Sequence, residues 1–113
     1  MDALSAEDRV KLDVAQSIRE DFLQQNAFLD VDWYTSLEKQ YGMLRLIFRY
    51  ADEALRAVQS GADVERVCGV AAHERIARAK TVPEESWKRD FAEIEAEITA
   101  QMDRLIEQTN EEN

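Results

Sequence analysis

The sequence predicts an all-α fold, a small helical bundle, on three observations. Apolar residues recur at steps of three and four in three long segments, which is the period of a helix buried on one side. Only three glycines and one proline interrupt the chain. Hydrophobic residues make up 45% and charged residues 34% of the composition, which suits a folded domain rather than a disordered one.

The first long helix is predicted over about 5–23. Ser5 stands where an N-cap is expected, and acidic residues follow it in the first turn. A single apolar stripe then recurs every fourth residue: Val10, Val14, Ile18 and Phe22. We expect this stripe, Phe22 included, to face the core.

The second long helix is predicted over about 36–60. Thr35 and Glu38 fit a capping box at its start, and Gly61 fits a left-handed residue at its end. Gly42 inside it predicts a close neighbour or a bend. The predicted apolar stripe comprises Leu37, Tyr41, Leu44, Phe48, Ala51, Leu55 and Val58, and a second set widens it, namely Met43, Ile47, Tyr50 and Ala54. The helix is therefore expected to pack on more than one side. The stripes are interpreted as core, and coiled-coil pairing with a partner is the alternative.

Short helices are predicted between 63 and 80, interrupted by Gly69, and a third long helix over about 83–109. Pro83 suits the first turn of the last helix. Its apolar stripe runs through Trp87, Phe91, Ile94, Ile98, Met102 and Leu105. The domain is therefore placed at 1–109, followed by a frayed tail at 110–113.

The charge and the apolar patterning limit the classes of partner. The formal net charge is −10, and no basic patch of the kind that binds nucleic acid is visible. No apolar run reaches the roughly 20 residues that span a bilayer. The lone cysteine, Cys68, is interpreted as a small buried residue rather than a reactive thiol.

No set of residues predicts a catalytic or metal site within this chain. The glycines do not form a phosphate-binding loop, and the single histidine, His73, lacks the partners of a metal motif, so a surface or capping role is favoured. Glutamates 93, 95 and 97 alternate around a helix and do not share a face. The basic cluster at Arg75, Arg78 and Lys80 is expected to neutralise the acidic last helix or to dock on another subunit.

Three collinear stretches carry a resemblance to a known family. They are "REDFLQQNAF" (19–28), "SLEKQYGMLRLIFRYADEALRAV" (36–58) and "ERIARAKTVPEE" (74–85), and the leading "DALSAEDRVKLDVAQSIRE" (2–20) agrees with them. Together they resemble the C-terminal helical domain of the catalytic A subunit of V-type and archaeal-type rotary ATPases.

The resemblance implies a larger parent subunit that hydrolyses or makes ATP with Mg²⁺. The phosphate-binding loop and the catalytic residues of that family lie in an upstream nucleotide-binding domain, so this chain alone is not expected to be catalytic or to hold a cofactor. The implied partners are that upstream domain, the non-catalytic B subunit and the central stalk. The implied location is cytoplasmic and peripheral to the membrane, without direct insertion.

The resemblance also suggests a role for the three consecutive carboxamides. Phe28 would wall the adenine end of the bound nucleotide, while Gln24, Gln25 and Asn26 would bond to the base edge or nearby backbone; alternatively, the amides cap the end of the first helix. Loops 61–69 or 81–85 are candidates for stalk contact. A free-standing helical adaptor is the alternative reading of the whole chain, and a small enzyme with its own pocket is a further rival.

Overall fold

The computed structural model describes residues 5–23 and 36–112, which form helices joined by short turns and contain no strand. The first helix, α1, is Ala6–Ser17 and continues as a π-helix over Ile18–Leu23, so the segment ends at the predicted residue but with a wider final turn. Ser5 caps α1 by accepting a hydrogen bond from the Asp8 amide at 3.1 Å, as predicted.

The second helix, α2, is Leu37–Gln59. Its N-cap is Ser36, whose hydroxyl accepts from the Lys39 amide at 3.0 Å, so the capping box starting at Thr35 was placed one residue early. At the other end Gly61 has φ +100°, the left-handed conformation that the sequence predicts there.

The remaining elements are two short helices and a long one. α3 is Val64–Cys68, capped by the Asp63 side chain, and α4 is Ala71–Ala77, followed by a 3₁₀ turn at Ala79–Thr81. The last helix, α5, is Trp87–Glu112. It starts four residues after Pro83, because residues 84–86 form a turn, and it continues past the predicted end at 109.

The long helices α2 and α5 lie side by side and run parallel. Arg49 near the middle of α2 donates to the Thr99 hydroxyl at 2.9 Å, and Arg56 further along reaches Asp103 at 2.6 Å. Residue numbers therefore increase in the same direction along both helices. The segment that contains α3 and α4 therefore runs back along the bundle and returns the chain to the end where α2 began.

The core lies mainly between α2 and α5 and is closed by α1, α3 and α4. Its buried hydrophobic residues are Val10, Met43, Leu46, Ile47, Tyr50, Ala54, Ala57, Ala62, Val67, Ala72, Ile76, Ala79, Phe91, Ile94, Ile98 and Met102. The predicted α5 stripe is confirmed, since four of its six members are buried and Trp87 and Leu105 pack against them.

The apolar stripe predicted for α2 is only partly in the core, where Leu55 and Val58 pack against the buried residues. Leu37, Tyr41 and Phe48 are 82%, 67% and 50% exposed, whereas the set predicted to widen the stripe provides the buried face together with Leu46 and Ala57. The two sets follow the same helical period on different sides of α2. Periodicity alone gives the shape of an apolar face but not which of two such faces is covered.

Gly42 explains how closely α2 approaches α5. An ideal Cβ at this position would lie 2.8 Å from the Trp87 ring and 3.1 Å from the Phe91 ring. The predicted close neighbour is therefore confirmed, and no larger residue fits without displacing an aromatic side chain. The two rings lie 5.3 Å apart at 60°, a tilted arrangement that aromatic pairs favour.

Candidate functional site

The predicted nucleotide-proximal residues Gln24, Gln25, Asn26 and Phe28 lie outside the described residues, and their role stays a prediction. Phe22 lies in the π-helix that ends one residue before them. Within residues 5–23 and 36–112, no group of three or more His, Cys, Asp or Glu side chains could hold a metal ion. No helix in these two ranges is long and apolar enough to cross a membrane.

A polar network joins α1, α2 and α4 in the described part of the chain. The buried Tyr50 donates its hydroxyl proton to Asp13 Oδ2 at 2.7 Å. The His73 ring stacks on the Tyr50 ring with centroids 4.5 Å apart and planes 2° apart. One buried phenol therefore fixes a carboxylate from α1 and an imidazole from α4.

The contacts of His73 assign its proton. Nδ1 lies 3.2 Å from the Cys68 carbonyl, which can only accept, so Nδ1 carries a hydrogen. Nε2 lies 3.1 Å from Ser17 Oγ and 3.4 Å from Asp13 Oδ2. In the neutral ring Nε2 accepts from the Ser17 hydroxyl. His73 thus bonds to the last carbonyl of α3, which agrees with the capping role favoured from the sequence.

This network is not a catalytic triad, although it contains a serine, a histidine and an aspartate. In a triad the serine and the carboxylate bond to opposite nitrogens of the imidazole, so that one nitrogen takes the serine proton while the carboxylate orients the other. Here Ser17 and Asp13 both lie beside Nε2, and Nδ1 is engaged by a backbone carbonyl. The geometry gives His73 a bracing role.

A cleft of about 380 Å³ opens beside this network. Its lining residues are Asp13, Gln16, Ser17, Glu20, Cys68, Gly69, Val70, His73, Glu74 and Ala77. Burial, followed by the Asp13 hydrogen bond, raises the pKa of Tyr50, and burial also raises the pKa of the Cys68 thiol. Both groups are therefore protonated at neutral pH, and Cys68 lacks the lowered pKa of a reactive thiol.

Tyr50→Phe is expected to lower the free energy of unfolding at pH 7 by about 1–2 kcal/mol, because Asp13 loses a hydrogen bond. Since the pKa of Tyr50 is raised on folding, its contribution is complete below the unfolded value of 10.0 and falls above it. Urea unfolding should be measured from about pH 7 to about pH 11. The difference in free energy of unfolding between the unaltered chain and Tyr50→Phe should decrease above about pH 10. A difference that stays constant over this range would contradict the prediction.

Tyr41→Phe is the matched control for that substitution, since Tyr41 lies on the same helix with 67% of its surface exposed. It should change the free energy of unfolding at pH 7 by less than about 0.5 kcal/mol. An equal loss in both variants would mean that the Asp13 contact contributes nothing specific.

A second polar cluster fixes the start of α2 to the turn before α5. Lys39 is 2% exposed, and its ammonium group donates to the Val82 carbonyl. Glu84 accepts a hydrogen bond from the Ser36 amide at 3.0 Å. Burial lowers the pKa of Lys39, and the charge of Glu84 opposes that shift. Segment 81–85, one of the loops considered for stalk contact, is therefore held against α2.

The position of Lys39 in the sequence already indicates that its side chain is buried. Lys39 precedes Met43 by four residues and lies in phase with Leu46 and Tyr50, so it belongs to the buried side of α2. A charged residue in phase with a core is a candidate for a buried anchor. Asp13 and Ser17 gave no such sign, because their partners come from distant parts of the chain.

Ion pairs on the surface support the basic-cluster prediction in part. Arg75 pairs with Glu97 of α5 at 2.5 Å, so the predicted neutralisation of the last helix is confirmed for this residue of the cluster. Arg78, the residue that follows α4, instead pairs with Glu74 of that helix at 3.9 Å. Glu95 faces Arg45 at 4.0 Å, so the alternating glutamates do diverge to different neighbours.

The comparison with known families decides what this architecture is. Residues 1–67 match the family described as the C-terminal domain of V and A type ATP synthase. The chain belongs to this family. The resemblance read from the three collinear stretches is thereby confirmed.

Relatives that match nearly the whole length of the chain are alpha chains of V-type ATP synthases. It is 52% identical over 107 residues to the V-type ATP synthase alpha chain of Clostridium novyi (strain NT), with 94% of this chain covered. It is 52% identical over 107 residues to that of Thermoanaerobacter pseudethanolicus and 48% identical over 106 residues to that of Clostridium perfringens (strain 13 / Type A). The chain spans 18% of the length of each.

Proposed function

We propose that this V/A-type C-terminal domain is the part of a catalytic A subunit that transmits movement in a rotary ATPase. It would move as one packed unit when the upstream nucleotide site opens and closes, and it would pass that movement to the central stalk. The parent subunit would hydrolyse or make ATP with Mg²⁺ while coupled to proton or sodium transport, and the domain alone would be inactive.

The proposal rests on membership of the family, because the family match extends over residues on both sides of the carboxamide segment 24–26. The packing supports it. A domain transmits a displacement only if its elements move together. The contacts of Gly42 with two aromatic rings and the Lys39–Val82 bond join α2 to α5 and to the turn before it.

The proposed partners and location follow from the parent complex. They are the nucleotide-binding domain of the same subunit, the non-catalytic B subunit and the central stalk, on the cytoplasmic side and peripheral to the membrane. Nucleic acid is not proposed as a partner, since the formal net charge of −10 opposes binding to phosphates. A free-standing adaptor remains the alternative, distinguished by the mass of the native polypeptide.

The adenine end of the nucleotide site is proposed to include Phe28, with Gln24, Gln25 and Asn26 nearby. Phe28→Ala in the full-length subunit should raise the KM for ATP about tenfold, since stacking of a base on an aromatic ring contributes roughly 1–3 kcal/mol. The assay is steady-state ATP hydrolysis by the assembled complex. An unchanged KM would contradict the role of Phe28.

Phe22→Ala provides the matched control, because Phe22 is the other aromatic residue of the same stretch and is expected to face the helical core. It should lower thermal stability while leaving the KM for ATP close to that of the unaltered complex. A rise in KM with Phe22→Ala alone would move the adenine contact to Phe22.

A further inference from the structure

Two polar contacts join the start of α2 to the short segment that precedes α5. The Ser36 amide donates to the Glu84 carboxylate at 3.0 Å. Three residues later, the ammonium group of the buried Lys39 donates to the Val82 carbonyl. Because residues three apart lie on the same side of a helix, both contacts hold segment 82–86 against one side of α2.

Segment 82–86 has little else to hold it in place. Its Val82 amide bonds to the Ala79 carbonyl and its Ser86 amide to the Pro83 carbonyl, and both of these contacts are local. Val82 packs against the core cluster, but none of residues 82–86 is buried. Segments with few buried contacts open before the rest of a protein unfolds. We therefore expect this segment to separate from α2 when the two polar contacts are removed.

Lys39 occupies a position where an apolar residue would cost less. It is 2% exposed and lies on the buried side of α2. Burial lowers the pKa of Lys39 and the charge of Glu84 opposes that shift, so the surroundings disfavour the ammonium ion. Methionine would fill the same position without that cost, but it cannot donate to a carbonyl. The lysine thus provides a directional contact to segment 82–86 that apolar packing would not provide.

We propose that Lys39 and Glu84 are positioning residues, which make the starts of α2 and α5 move as one body. We define the α2–α5 junction as Ser36, Lys39, Val82 and Glu84. Ser36 follows residues 24–28 by eight positions, so a displacement of the proposed nucleotide-proximal residues enters α2 at this end. The junction passes the same displacement to α5. This use of the junction rests on the proposed function, whereas the junction itself does not.

Hydrogen exchange in the 113-residue chain tests whether the junction acts as one unit. Lys39→Met should raise the exchange rate of the Ser36 amide about tenfold relative to that of the Ile98 amide in the middle of α5. The direct partner of the Ser36 amide is Glu84, which this substitution leaves in place. A faster rate therefore means that loss of one contact releases the other. The ratio to Ile98 separates this local opening from a change in global stability.

Glu84→Ala tests the junction from its other side and does not alter the buried lysine. It should raise the exchange rate of the Ser86 amide about tenfold relative to Ile98, although the Pro83 carbonyl that this amide contacts is unchanged. Glu84→Gln is the matched control, since its amide oxygen can still accept from the Ser36 amide. It should leave the ratio within about twofold of that in the unaltered chain.

Ion transport by the assembled parent complex tests whether the junction is used. Lys39→Met should lower the number of ions transported per ATP hydrolysed at least about twofold, because a released segment absorbs part of the displacement. The KM for ATP should change less than about twofold, since the junction lies outside the proposed adenine contacts. Lys11→Met is the matched control, because it makes the same chemical change at an exposed position of α1. It should alter neither quantity.

Two results would overturn the proposal. One is an unchanged exchange ratio in both Lys39→Met and Glu84→Ala, which would mean that segment 82–86 does not depend on these contacts. The other is normal transport per ATP in a Lys39→Met complex that hydrolyses ATP, which would leave Lys39 a role in stability alone. The proposed rotary role fails by a different result, a native polypeptide of only 13.0 kDa.

Discussion

Leu46→Ala is expected to lower the free energy of unfolding by about 2–5 kcal/mol, the range for truncating a buried leucine. Leu46 is 0% exposed on the side of α2 that faces the core. Its removal leaves a cavity that the surrounding helices cannot fully close. The measurement is urea unfolding of the 113-residue chain, followed by circular dichroism.

Leu37→Ala is the matched control, because it makes the same chemical change on the same helix at a position that is 82% exposed. It should change the free energy of unfolding by less than about 0.5 kcal/mol. The pair therefore tests which side of α2 is buried. A larger loss at Leu37 than at Leu46 would restore the stripe that periodicity alone predicts and would contradict the packing described here.

Gly42→Leu is expected to destabilise the chain by at least about 2 kcal/mol, despite the roughly 1 kcal/mol of helix propensity that leucine gains over glycine. The Cβ alone would lie 2.8 Å from the Trp87 ring and 3.1 Å from the Phe91 ring, so a larger side chain must displace at least one of them. Thermal unfolding should show a decrease in Tm of about 10 °C.

A double-mutant cycle assigns that loss to the contact between α2 and α5. Trp87→Ala removes the nearest ring, so Gly42→Leu should cost less in the Trp87→Ala background than in the unaltered chain. An interaction energy near zero would mean that Gly42 is required for another reason. Gly42→Ala should destabilise the unaltered chain less than Gly42→Leu does, since only one carbon must be accommodated.

The elements of this fold were predictable because each carries local information. Ser5 and Gly61 mark a beginning and an end through backbone chemistry that depends on adjacent residues only. The α5 stripe was also read correctly, since α5 has one apolar side. The start of α5 was misplaced because Pro83 is compatible with a turn before a helix as well as with its first turn.

The buried side of α2 was not predictable from its apolar period alone. The helix carries two apolar rows, and the choice between them depends on where α5 comes closest. Gly42 marks the side of α2 that α5 approaches, because a residue without a side chain leaves room for the rings of Trp87 and Phe91. Reading the glycine together with the stripes would have selected the row that contains Met43 and Leu46.

The polar network that joins α1, α2 and α4 illustrates the same limit for polar residues. His73 is the lone histidine and was noticed, but its partners Asp13, Ser17 and Tyr50 come from two other helices. Contacts at such separation in sequence leave no local pattern. The nucleotide-proximal role of Phe28 rests on family resemblance and can be tested only in the complete subunit.

The mass of the native polypeptide tests the central claim most directly. An antibody raised against residues 1–113 would be used to blot an extract of the source cells, fractionated into membranes and supernatant. A band several times heavier than 13.0 kDa that sediments with a membrane-associated ATPase is the result expected for a domain of a catalytic subunit. A 13.0 kDa band in the supernatant would contradict that claim and would favour the free-standing adaptor.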